Sequence, residues 1–73
     1  MTKYEHLLEL QESGELSTLF RNYELPLKYM QWMEIYAFHL AHPDLSQWQV
    51  AINMHTNKIA VWRAYMFMSQ PVM

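Results

Sequence analysis

The sequence predicts an all-α fold: a small domain of four or five short helices, the last two of them paired. Three observations lead there. Apolar residues recur at i, i+3, i+4 and i+7, most cleanly at Leu16, Leu19, Phe20 and Tyr23, which puts them on one helical face. Helix-starting residues stand just ahead of such stretches: Thr2 with Glu5 three residues on, and Ser46 with Gln49 three residues on, both read as capping boxes. The single glycine and the three prolines fall where these stretches begin or end. No pair of strands follows the last helical stretch.

Seventy-three residues make one domain. A chain this short buries only about 60% of the surface it exposes when unfolded. It has no cysteine, so no disulfide or thiolate metal site staples it. Hydrophobic residues make up 52% and aromatics 15%. That is enough for a full core, or for a core plus an apolar surface kept for a partner. No apolar run is long enough for a membrane span, and the first residues lack the layout of a signal peptide. A cytoplasmic location is the expectation.

The first helix is expected after Thr2, with Tyr4, Leu7, Leu8 and Gln11 on its inner stripe and Glu5, Glu9 and Glu12 outside. Gly14 breaks it. The second runs from about Glu15 to Tyr23 and stops before Pro26, because a residue preceding proline is pushed away from helical dihedrals. Pro26 then suits the first position of a third helix, extending to Ala41. This stretch is apolar almost all round. Met30, Met33, Ala37 and Leu40 share one face, and Tyr29, Trp32 and Tyr36 an adjacent one, so a central position is expected. Pro43 ends it. The fourth helix spans Gln47 to about Met54, with Leu45 and Val50 placed to clasp across its cap. The fifth starts after Asn57, a good N-cap, and reaches about Met68, before Pro71.

The stretch Gln47–Met66 carries the functional signal. Ala51 is small where a second helix would cross a first. Val50 and Met54 are apolar toward that second helix, and Val61 and Ala64 are apolar in return. His55 stands in the turn, where positive φ is needed; His is among the non-glycine residues enriched there. Thr56 takes a place more often aliphatic. The stretch resembles the core of a helix-turn-helix DNA-binding domain, of the small wingless type found among regulators of phages and other mobile elements. The resemblance covers about a third of the chain. It implies that the helix 57–68 lies in the major groove of double-stranded DNA.

On that resemblance the candidate DNA contacts are Gln47, Asn57, Lys58, Trp62 and Arg63. Arg63 would pair with guanine, Asn57 with adenine or a phosphate, and Lys58 with a phosphate. Trp62 would pack on a sugar or lie against a neighbouring helix, and Gln47 would grip the backbone. Net charge is −2, but all seven acids lie at or before Asp44. Three basic residues share that part, leaving it at −4, while Lys58 and Arg63 give the remainder +2. Two cations are few for a DNA binder, so a homodimer is expected. Met66, Phe67, Met68, Val72 and Met73 cluster near the C-terminus and are the candidate interface, for a second copy or a larger protein partner.

No other chemistry emerges. His39, His42 and Asp44 are a fragment of a metal-ligand set, one ligand short and broken by Pro43, so no metal or other cofactor is expected. There is no cysteine nucleophile, glycine-rich phosphate loop or His-Glu-x-x-His pattern, and an enzyme is not expected. The alternative reading is a helical protein–protein interaction module, a regulator or inhibitor that keeps the two-helix geometry without reading DNA. The two readings differ in the surface each requires: a positive face for DNA, or an exposed patch of Met and aromatic side chains for a protein.

Overall fold

A computed structural model describes residues 1–72. Within them the chain forms five helices, α1 (Lys3–Ser13), α2 (Glu15–Arg21), α3 (Lys28–Ala41), α4 (Gln47–Asn53) and α5 (Lys58–Met68), and no sheet. No helix is long and apolar enough to cross a membrane.

Local chemistry sets the boundaries. The Thr2 hydroxyl accepts from the Glu5 N–H at 3.2 Å, and the Glu5 carboxylate accepts from the Thr2 N–H at 2.8 Å. The bond from the Thr2 N–H to the carboxylate, seconded by the Thr2 side chain, favours the ionised form, so the Glu5 pKa is lowered. Gly14, at φ 85°, closes α1 and opens α2. A residue with a side chain would be strained in that left-handed conformation.

The expected run of α2 to Tyr23 is corrected. The helix stops at Arg21 because Tyr23 turns left-handed, at φ 59°. The Glu24 N–H then reaches the Leu19 carbonyl at 2.9 Å, and the Tyr23 N–H reaches that of Phe20 at 3.2 Å. This pair of bonds is a Schellman ending, usually built on glycine. Tyr23 is thereby carried off the apolar face and is 87% exposed.

The same ending recurs after α4. His55 sits at φ 55°, the Thr56 N–H bonds the Ala51 carbonyl at 2.9 Å, and the His55 N–H bonds that of Ile52 at 3.3 Å. The start of α3 also differs from expectation. Leu27 occupies the cap, and Pro26 lies one residue earlier, its carbonyl accepting from the Tyr29 N–H at 3.1 Å.

Two clusters make the core. One joins Leu7, Leu16, Phe20, Met33 and Met68; the other joins Ile35, Val50, Ala51, Val61 and Ala64. Trp32 packs against both. Helix α5 supplies Met68 to the first and Val61 and Ala64 to the second, and it touches α1, α3 and α4. The spine is therefore the α3–α5 pair rather than α3 alone. Of the expected α3 face only Met33 is buried. Met30, Ala37 and Leu40 are exposed, and the fully buried residue is Ile35.

The two chain ends meet. The Lys3 N–H bonds the Gln70 carbonyl at 2.8 Å, the Val72 N–H bonds the Met1 carbonyl at 2.8 Å, and Thr2 bridges Pro71. These bonds tie the segment after α5 to the start of α1.

Candidate nucleic-acid interface

The pair α4–α5 is organised from its crossing outward. Ser46 caps α4 through the second capping box: its hydroxyl accepts from the Gln49 N–H at 3.2 Å, and its own N–H donates to the Gln49 side chain at 2.9 Å. Leu45, just ahead of the cap, packs on the cluster that contains Val50. Ala51 is 2% exposed, and Val50, Val61 and Ala64 are completely buried. Each of these burials follows from helical spacing, and each apolar side chain of Val size contributes about 1.5–3 kcal/mol. The tight Met54–Asn57 turn then carries the chain into α5.

What lies opposite this stripe is the candidate surface. On α5, Ile59, Trp62, Arg63 and Met66 follow at i, i+3, i+4 and i+7, on the face turned away from Val61, Ala64 and Met68. On α4, Trp48 and Ile52 are one turn apart and turned away from Val50 and Ala51. The five large apolar side chains among these six are 49–62% exposed. Lys58 and Arg63 are exposed beside them, and neither helix contains an acidic residue.

Of the sequence-derived contacts, Lys58, Trp62 and Arg63 are all exposed on α5, with Lys58 one turn from Trp62 on one flank of the outer face and Arg63 on the other. Gln47 is half-buried at the first position of α4. Asn57 is exposed, but its Oδ1 accepts from the Ala60 N–H at 2.8 Å and caps α5. That bond makes Asn57 the N-cap of α5, as its position in the sequence predicts. Trp48, Ile52 and Ile59 were not singled out from the sequence. Their signal was present: each is offset from a packing residue by one or two positions, which on a helix turns it outward.

The expected C-terminal interface is corrected in part. Met68 is completely buried in the core. Phe67 is half-buried and stacks on Tyr29, ring centroids 4.7 Å apart, with the Lys3 ammonium 4.5 Å from its own ring. Val72 is half-buried against the N-terminus, and Met66 belongs to the outer face of α5. Met73 lies outside the described residues. The cluster is drawn apart because the start of α1 covers the end of α5.

Elsewhere, α1, α2 and α3 border an apolar groove of about 720 Å³, lined by Leu8, Leu16, Phe20, Leu27, Met30 and Met33 among others. His39 lies 4.2 Å from Tyr65, ring centroid to ring centroid, and both the His39 Nδ1 and the Tyr65 hydroxyl are buried without a partner. The described residues contain no group of three or more side chains able to hold a metal ion. Comparison with protein-family models, curated proteins and solved structures finds no match for the chain.

Proposed function

We propose that the chain binds double-stranded DNA, with α5 in the major groove, as a small transcriptional regulator of the phage or mobile-element type. One observation supports the reading: a two-helix crossing closed over Ala51 leaves Lys58 and Arg63 exposed on the two flanks of α5, with no acid in either helix. The acidic residues all lie at or before Asp44, so the field of the molecule favours approach by the α4–α5 side. Arg63 is the base-reading cation and Lys58 the phosphate contact, with Trp62 packing beside them and Gln47 flanking. Two cations per chain give weak binding, and a homodimer doubles them on a two-fold site.

The exposed apolar residues of the same face favour a second reading. In it the chain is a helical interaction module, and Trp48, Ile52, Ile59, Trp62 and Met66 dock a protein partner. Aromatic-rich exposed patches are typical of such surfaces.

Selection of bound duplexes from a random library separates the two. The DNA reading expects enrichment of a defined site whose affinity falls linearly on a log–log salt plot and is lost in Lys58→Ala/Arg63→Ala. Absence of enrichment at about 50 mM salt contradicts it and favours the protein partner.

A further inference from the structure

The outer face of α5 is apolar at the positions nearest its middle and cationic only at one flank and at its first residue. Ile59 and Met66 lie opposite the buried Val61–Ala64–Met68 stripe, with Trp62 to one side and Arg63 to the other. A face of this kind offers guanine one good partner in Arg63. It offers cytosine no acceptor carboxylate and adenine no amide, since α5 contains no Asp, Glu, Asn or Gln. The apolar group that DNA presents in the major groove is the C5-methyl of thymine.

Resting on the DNA reading above, we propose that this face recognises thymine methyl groups, with Ile59 and Trp62 as the contacts and Arg63 taking a neighbouring guanine. From Ile59 to Met66 the helix rises about 10 Å, the length of roughly three base-pair steps. The recognised element is therefore short: one or two thymines within about three base pairs of the guanine. The same chemistry accounts for large apolar side chains standing in water on a helix that contributes Val61, Ala64 and Met68 to the core. They are desolvated when methyl groups cover them.

Replacing thymine by deoxyuridine, one position at a time, in a duplex that the protein binds removes only the methyl and keeps the base pair. We expect a loss of about fourfold at each methyl contacted, from the transfer of one carbon out of water. In Ile59→Ala, whose side chain is outside the core, at least one of those positions becomes indifferent to the replacement. DNA binding that persists, still depends on Lys58 and Arg63, and is unchanged by uracil at every position overturns methyl recognition and leaves the DNA reading standing. Failure to bind any duplex overturns both.

Discussion

At the scale of single residues, the chain places side chains where their chemistry is in tension with the backbone or the core. Tyr23 and His55 hold left-handed conformations that glycine adopts freely. The only glycine closes α1, so the two Schellman endings, after α2 and α4, use residues with side chains. His55 was readable, because the turn it stands in needs positive φ. Tyr23 was not: its spacing matched the apolar face of α2, and only the backbone bonds to Leu19 and Phe20 remove it. Tyr65 is the second case. Its hydroxyl is buried without a partner. Its pKa is raised by loss of hydration and, secondarily, by Tyr36; that of Tyr4 is raised for the same reasons. The sign for a raised pKa is that the stabilisation is fully present below the unfolded value, about pH 10, and is lost as pH rises through the folded value. Tyr65→Phe removes both the unpaired hydroxyl and the titration. We expect a gain of about 1 kcal/mol at pH 7 and a shallower loss of stability above pH ~10, measured by denaturant unfolding at both pH values. A less stable variant with an unchanged alkaline profile contradicts this account.

At the scale of elements, the helix boundaries were largely legible because caps are local. The Thr2–Glu5 and Ser46–Gln49 boxes and the Asn57 cap all rest on side chains within three residues of their partners. The inner faces of α4 and α5 were legible for a related reason: a small residue at a crossing leaves few alternatives for its neighbours. What was not legible was how the two ends of the chain share the core. Met68 and Phe67 look unpartnered in sequence, since no apolar helical stretch near them is spaced to cover them. Met68 is covered by Leu7, Leu16, Phe20 and Met33, and Phe67 by Tyr29 and Lys3, which sequence order places far away. The crossing gives a direct prediction. Ala51→Leu forces a larger side chain between α4 and α5, against completely buried neighbours. The expected cost is about 1–3 kcal/mol in urea unfolding. By contrast Ile52→Ala, on the exposed side of the same helix, changes stability by less than about 0.5 kcal/mol. Equal costs for the two would mean that α5 does not close over Ala51.

At the scale of the whole molecule, charge and apolar surface are separated along the chain. Acids occupy α1 to the α3–α4 link, while α4 and α5 carry two cations and five exposed large apolar side chains. The charge separation was legible by counting. The apolar face was only implied: Val61 and Ala64 turned inward leave Ile59 facing outward, but nothing in the spacing says that so many large apolar residues stay uncovered. That face is shared by both functional readings, so the central claim is the identity of its occupant. The three tryptophans make it directly measurable: Trp48 and Trp62 are on the outer face, and Trp32 is packed against both core clusters. The decisive measurement is a titration of the labelled protein with its selected duplex, following the three indole N–H resonances by NMR. The account predicts that Trp48 and Trp62 shift or broaden in step with binding while Trp32 stays in place. Binding that leaves Trp48 and Trp62 unmoved contradicts it, as does the absence of any change at low salt.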